Sequence, residues 1–250
     1  MLINWFRLSS PVSFYPIAGA WSYAFAVLAA LLAGVGLVIG LWIAPTDATQ
    51  GDAYRIIFIH VPTAWMAMFI YVVMAGWSAL ALGFNTRLSA MMAQALAPTG
   101  AIMAGLALWT GAFWGRPTWG TYWAWDARMT STLILLFLYL GIIALRSAIE
   151  DPRRADRACA VLAIVGAINV PIIYFSVQWW NTLHQGSSIS LTAAPRMAMT
   201  MLAGILVMTA AAWCYAISVV LARVQAIIVE RERGAGWLES LIDWRAESGR

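Results

Sequence analysis

Six long apolar runs dominate the pattern of hydrophobic and polar residues along the chain. They cover residues 23–44, 61–83, 94–114, 129–145, 158–177 and 197–221. Each is as long as, or close to, the roughly 20 residues that a helix needs to cross the hydrocarbon core of a bilayer. None of them contains Asp, Glu, Lys, Arg or His. The pattern therefore predicts an all-α, polytopic membrane protein with a bundle of six transmembrane helices.

Composition narrows the class of protein further. Of the 250 residues, 62% are hydrophobic and 10% are charged, whereas about a quarter of a soluble domain is charged. We expect a single membrane domain over residues 1–250. The sequence has no lysine, and a P-loop needs one to reach the nucleotide phosphates. The arginines form no basic patch on a soluble face, so we expect membrane lipid and no nucleic acid as a partner.

The arginines divide unequally between the two ends of the predicted spans. Eleven lie at one end: Arg7, Arg87, Arg146, Arg153, Arg154, Arg157, Arg223, Arg231, Arg233, Arg245 and Arg250. Four lie at the other: Arg55, Arg116, Arg128 and Arg196. Because cytoplasmic loops carry the excess of basic residues, both termini are predicted to be cytoplasmic. The outer segments are then residues 45–60, 115–128 and 178–196.

Residues 222–250 form a predicted amphipathic tail on the cytoplasmic side. Trp237, Leu241 and Trp244 recur there at helical spacing. Such a helix either rests on the inner leaflet or docks onto a partner subunit.

The interior of the predicted bundle is almost free of polar chemistry. Coupled transporters usually carry ionisable residues inside their spans, so the uncharged runs argue against proton-coupled transport. Asn169 and Pro171 are a notable polar pair in the fifth run. We interpret them as a proline kink with a polar neighbour that helps to satisfy the freed carbonyl.

The outer face concentrates the residues that could bind a ligand. The only two histidines, His60 and His184, fall in outer segments on either side of the loop 114–130. That loop contains the aromatic residues Trp114, Trp119, Tyr122, Trp123 and Trp125. Trp119 and Trp123 would share one face of a short interfacial helix. The result would be an aromatic surface parallel to the membrane.

Each of these residues also has a purely structural interpretation. Interfacial tryptophans form belts in many membrane proteins. Asp126 directly precedes the fourth run, where a carboxylate can cap the helix. Arg128 can lie at the bilayer edge with its aliphatic stem in lipid, and either histidine alone is more often structural than ligating.

Taken together, the outer residues favour one flat ligand. The ligand would be apolar enough to pack against indole rings. It would contain a metal that imidazoles can coordinate, and anionic groups that can pair with arginine side chains. Haem satisfies all three conditions, with His60 and His184 as axial ligands of the iron. The candidate partners of its propionates are Arg55, Arg116, Arg128 and Arg196. Because the chain lacks a CxxC pair for covalent attachment, we expect haem b.

The segment WGTYWAWDARMT, residues 119–130, resembles the tryptophan-rich WWD motif of cytochrome c biogenesis proteins. The match includes Asp126 and Arg128, and Met129 replaces the usual leucine. The stretches HVPTAWM and WWNTLHQ are similar to the histidine segments of the CcmC family, and the resemblance covers nearly the whole chain. Its length and the DxR ending separate it from the larger haem lyases of the superfamily.

The resemblance implies a protein of the bacterial inner membrane that is not itself an enzyme. It would hold haem at the periplasmic face and present it to the haem chaperone CcmE. CcmD and the ABC transporter subunits CcmA and CcmB would be its other partners, and ATP hydrolysis by the transporter would drive release. Three alternatives are a haem permease, a synthetase that makes thioethers, and a structural subunit with an aromatic belt.

Overall fold

A computed structural model describes residues 10–184, 195 and 197–240. Its α-helices are α1 Pro11–Val38, α2 Ile57–Phe84, α3 Arg87–Trp119, α4 Ala127–Ala148, α5 Pro152–Gly166, α6 Asn169–Trp179 and α7 Met199–Arg231. A π-helical turn, Ile39–Ile43, continues α1, and a 3-10 turn, Asp52–Ile56, leads into α2. No strand is present in the described ranges.

The described residues contain six helical spans that are long and apolar enough to cross a membrane. The predicted all-helical class with six spans is confirmed. α5 and α6 together make one span, Pro152–Trp179, and the longest spans have 33 residues. They exceed the apolar runs because the polar residues at their ends continue the helices. The chain is a multi-pass membrane protein.

The fifth span breaks between α5 and α6, at Ala167 and Ile168. Pro171 has no backbone N–H to donate to the carbonyl four residues earlier, which is that of Ala167. The backbone there tightens to hydrogen bonds three residues apart, including one from the N–H of Val170 to the carbonyl of Ala167. The amide of Asn169 instead donates to the carbonyl of Ser131 on α4, at 2.8 Å. The predicted kink is present, but Asn169 links α6 to α4. The carbonyl of Ala167 is satisfied by the backbone N–H of Val170 and not by the Asn169 side chain.

α1 is a peripheral helix that packs mainly against α7. The hydroxyls of Ser22 and Ser218 each donate to the other residue's carbonyl, at 3.0 and 2.8 Å. Small hydroxyl residues of this kind let two membrane helices approach closely. Most of the remaining surface of α1 is exposed and apolar, as expected of a helix that faces lipid.

The centre of the bundle is formed by α2, α3 and α4. Tyr71 and Tyr139 are fully buried there and meet edge to face, with ring centroids 4.9 Å apart. The hydroxyl of Tyr139 donates to the carbonyl of Ala67, at 2.8 Å. The ring contact and the hydrogen bond together hold α4 against the middle of α2. They thereby help to position the ends of these two helices, where the candidate site lies.

At the arginine-rich end, α7 passes through the predicted boundary at residue 222 and ends at Arg231. A turn over residues 232–234 follows, and Leu238 is buried beyond it. Trp237 lies edge-on to Tyr15 of α1, with ring centroids 6.1 Å apart. The predicted continuous tail helix is therefore interrupted, because residues 223–231 belong to the last span. Leu241, Trp244 and the final arginines lie outside the described residues.

Candidate functional site

Both histidines line one cavity at the end of the bundle opposite the arginine-rich end. His60 lies in the first turn of α2, and His184 follows α6 by five residues. The cavity has a volume of about 40 Å³ and also borders Arg128 of α4. Residues that are 124 positions apart in sequence thus come together, as the predicted site requires.

Thr110 on α3 lies within hydrogen-bond distance of the ring of His60. Its hydroxyl lies 3.1 Å from His60 Nδ1 and donates its single proton to the carbonyl of Leu106, at 2.6 Å. In that arrangement the hydroxyl oxygen accepts from His60, which corresponds to the tautomer with the imidazole proton on Nδ1. Nε2 of His60 consequently carries a free lone pair, which is the form that binds a metal.

A second contact holds the ring of His60 from the outer side. The indole of Trp114 meets it edge to face, with ring centroids 5.6 Å apart. Trp114 Nε1 donates to the side-chain carbonyl of Gln50, at 2.7 Å. Asp47 orders this loop by accepting from the backbone N–H groups of Thr49 and Gln50, both at 2.9 Å. These backbone and side-chain hydrogen bonds also lower the pKa of Asp47.

Asp126 holds His184 and caps α4 with the same carboxylate. One oxygen accepts from the backbone N–H of Met129, at 2.8 Å, as an N-cap. The other accepts from the N–H of Leu183, at 3.2 Å, and lies 3.6 Å from His184 Nδ1. The capping interpretation is correct, and the same carboxylate lies close to Nδ1 of His184 without forming a hydrogen bond to it.

The environment of His184 favours the neutral form of its imidazole. Burial lowers the pKa of His184 below its usual value of 6.5, and the positive charge of Arg128 lowers it further, while Asp126 raises it. The indole of Trp119 lies against the ring, with centroids 4.9 Å apart. No hydrogen-bond partner for His184 Nδ1 occurs among the described residues.

The prediction of a short interfacial helix that contains Trp119 and Trp123 is wrong. α3 continues to Trp119 and ends at Gly120, whose φ of 78° lies in the left-handed region that glycine adopts without strain. Residues 121–126 are irregular. Trp119 and Trp123 therefore do not share a helical face.

The irregular segment still presents aromatic side chains around the site. Tyr122 and Trp125 are 55% and 77% exposed. Trp123 lies edge-on to Trp125 at 5.3 Å between centroids, and its indole N–H is buried without a partner within the described chain. These aromatic side chains thus come from a helix end and an irregular segment, and a common surface for a ligand stays a prediction.

The four candidate arginines occupy different environments. Arg55 pairs with Asp52 at 2.9 Å and donates to the carbonyl of Gly40 at 2.7 Å. Arg116 donates to the carbonyl of Gly120. Arg128 lines the cavity, and across the described ranges its guanidinium forms no hydrogen bond or ion pair. Arg196 lies outside the described residues. Arg128 is thus the described candidate with free donors at the site.

Sequence reasoning did not identify Thr110 or Gln50. Thr110 is 50 residues from His60, and Gln50 is 64 residues from Trp114. Both are ordinary residue types at a helix interior and in a loop. Their contacts with His60 and Trp114 follow from the packing of α3 against α2 and the loop before it.

A family model described as CcmC, Heme exporter protein C, matches residues 4–239. The chain is 47% identical over 194 residues to Heme exporter protein C of Haemophilus influenzae, which covers 78% of this chain and 79% of the relative. It is 40% identical over 240 residues to Heme exporter protein C of Escherichia coli strain K12, covering 94% and 95%.

A third relative is Heme exporter protein C of Bradyrhizobium diazoefficiens, which is 52% identical over 178 residues. That match covers 70% of this chain and 68% of the relative. Since the family model spans nearly the whole chain and the relatives agree with it, the chain belongs to the CcmC, Heme exporter protein C, family.

Proposed function

We propose that this protein binds haem b between His60 and His184 and passes it on during cytochrome c maturation. The observation that carries the proposal is the shared cavity of the two histidines and Arg128. Membership of a family named for haem export supports the class of ligand. Haem is the cargo in this proposal, and the chain is a binding and delivery protein with no catalytic role.

The donor set fits an iron porphyrin. The Thr110 contact leaves Nε2 of His60 unprotonated, and the Asp126 carboxylate faces Nδ1 of His184. In histidines that ligate metals, the ring nitrogen that does not bind the metal typically has a polar partner, which fixes the orientation of the ring. Both imidazoles thus offer Nε2 to a metal.

The cavity between the histidines is smaller than the ligand. About 40 Å³ accommodates a few water molecules, whereas a porphyrin must separate the two rings. We infer that His184 and its neighbours move outward when haem binds, and that their contact with Asp126 loosens. The hydrogen bond from Leu183 to Asp126 is part of what closes this side.

Arg128 is our proposed partner for a haem propionate. Its guanidinium borders the cavity and forms no ion pair within 4 Å among the residues that the structure describes, although the charge of Asp126 acts on it. Guanidinium and carboxylate pair in a bidentate geometry that fixes the plane of the ligand. The remaining porphyrin surface would lie on Trp119, Trp123 and Trp125, with Tyr122 at the exposed edge.

Delivery is the finer part of the proposal. We place the site at the periplasmic face, with both termini in the cytoplasm, because of the arginine distribution. The exposed aromatic residues would leave one haem edge open to the chaperone CcmE. CcmD, CcmA and CcmB would complete the complex, with ATP hydrolysis by the ABC subunits driving release of the loaded chaperone.

A transfer assay tests this function. The purified haem-loaded protein is mixed with purified CcmE, and haem on each protein is followed by absorption. Removal of Trp119, Trp123 and Trp125 together should reduce transfer at least about tenfold, since burial of one large aromatic contributes roughly 1.5–3 kcal/mol. A Trp213→Ala variant is the control, because Trp213 lies on α7 against Phe69 and away from the site. Undiminished transfer by the triple variant would leave the tryptophans as an interfacial belt.

A further inference from the structure

A second cavity lies at the arginine-rich end, among α2, α3, α4, α5 and α7. Its volume is about 230 Å³, and most of its wall is apolar. The apolar wall includes Met74, Ala93, Ala97, Ile142, Ala163 and Ile227. Neither histidine borders it, so it is separate from the candidate haem site.

The polar part of this cavity has more positive than negative charge. Arg146 and Arg223 line it, together with the single carboxylate of Asp156. Asp156 is already shared, because it accepts from Arg146 at 2.7 Å and from Arg231 at 2.8 Å. Glu230 also acts electrostatically on Arg146, but neither carboxylate forms an ion pair with Arg223 in the described part of the chain.

Arg223 lies in a helix long and apolar enough to span a membrane, and no carboxylate among the described residues forms an ion pair with it. Its guanidinium donates to two neutral groups, the carbonyl of Ala95 and the hydroxyl of Thr99, each at 2.8 Å. No carboxylate pairs with it in the part of the chain that the structure covers. It lies eight residues before Arg231 on α7, which is about 12 Å along the helix axis. A cation at such a depth favours a bound anion, since charge in a low-dielectric region is costly without one.

We propose that this cavity binds a phospholipid with an anionic head group. The head group would meet the free donors of Arg223 and the rim arginines, and one acyl chain would enter the apolar part. A phospholipid fits better than a free anion because a single site combines an excess of arginine with an apolar wall. Basic pockets between membrane helices bind such head groups through the same chemistry.

Native mass spectrometry of the purified full chain tests the proposal. Phosphatidylglycerol and phosphatidylethanolamine with identical acyl chains are added at equal concentration. We expect phosphatidylglycerol adducts to exceed the others about tenfold, because both lipids offer the same phosphodiester but the ammonium of phosphatidylethanolamine is repelled by the excess of arginine. Arg223→Gln should bring that ratio close to one, while Arg223→Lys should keep most of it.

Two further variants separate the cavity from general surface charge. Arg87→Gln makes the same charge change at the same end, on a side chain that is 64% exposed and outside the cavity, and should keep the wild-type ratio. Ala93→Leu adds bulk to the apolar wall without changing charge and should reduce adducts of both lipids. An equal effect of Arg223→Gln and Arg87→Gln would overturn the proposal.

The outcome is independent of haem binding. A His184→Gly variant should keep the phosphatidylglycerol preference, whatever happens to its haem. Inorganic phosphate in excess should not displace the lipid, because it has no acyl chain. Displacement by phosphate would show that the site recognises an anion without its acyl chain, and the absence of any lipid preference in the wild-type protein would show that it does not select an anionic phospholipid; either result would overturn the proposal.

Discussion

At the scale of single residues, the proposed role of His60 as a metal ligand depends on Thr110, whose hydroxyl accepts a hydrogen bond from Nδ1 in the tautomer that leaves Nε2 free. Thr110→Val has nearly the same shape and removes this acceptor, so the imidazole is free to rotate and to change tautomer. We expect haem affinity to fall about tenfold, at the lower end of what such partners of metal ligands contribute, and the low-spin spectrum to weaken.

Thr110→Ser is the matched control, since serine keeps the hydroxyl and should restore both affinity and spectrum. A loss of helical stability alone would affect the amount of folded protein and leave the spectrum of bound haem unchanged. Valine and serine variants with identical spectra would mean that Thr110 has no influence on His60.

The pH dependence of haem binding should reflect the charges around His184. Because burial and Arg128 lower its pKa below 6.5, protons compete with iron only at a lower pH than for a free imidazole. Arg128→Gln removes one lowering influence, so acid release of haem should begin at higher pH. Asp126→Asn removes the raising influence and still offers a cap, so release should begin at lower pH. Absorption titrations of the two variants against pH check that the pH of haem release shifts in opposite directions. Shifts in the same direction would contradict the assigned effects of Arg128 and Asp126 on His184.

At the scale of elements, α3 must approach α2 closely at Gly111. A Cβ atom placed there would lie 2.9 Å from Cε1 of His60, whereas one at Gly105 of the same helix meets nothing within 4 Å. Both Gly→Ala changes should favour the helix by roughly 1 kcal/mol. Gly105→Ala should therefore raise thermal stability with normal haem binding. Gly111→Ala should displace the imidazole and impair binding, as measured by haem titration of both variants.

The elements also show how far the sequence predicts this molecule. Six helical spans follow from apolar runs because a bilayer requires every backbone group to be paired internally. The end of α3 could not be predicted from the sequence in the same way. The spacing of Trp119 and Trp123 fits a helix, but the left-handed backbone of Gly120 ends α3 between them. The role of Asp126 as a cap could be predicted from its position before an apolar run.

Contacts across the bundle could not be predicted in the same way. The position of Thr110 beneath His60, and that of Gln50 beside Trp114, depend on how α2 packs against α3. A single sequence contains no signal for that packing. The pairing of the two histidines was predictable only because they are the sole histidines in the chain.

At the scale of the whole molecule, the two ends of the bundle differ in chemistry. One end carries the histidines, and the other carries ion pairs of Arg146 and Arg231 with Asp156. A reporter fused after Arg154 should be cytoplasmic, and one fused after Gly186 should be periplasmic, because basic loops stay inside. The reverse pattern would place the histidines in the cytoplasm and end the proposal of delivery to a periplasmic chaperone.

The central claim is that His60 and His184 bind one iron from opposite sides, and the absorption spectra of His60→Gly and His184→Gly test it most directly. The wild-type protein should show six-coordinate, low-spin haem. Each variant should lose that spectrum and regain it when imidazole is added, because the glycine leaves room for the free ligand. A variant that keeps an unchanged low-spin spectrum without imidazole would show that its missing histidine is not a ligand, and the two-sided site would be contradicted.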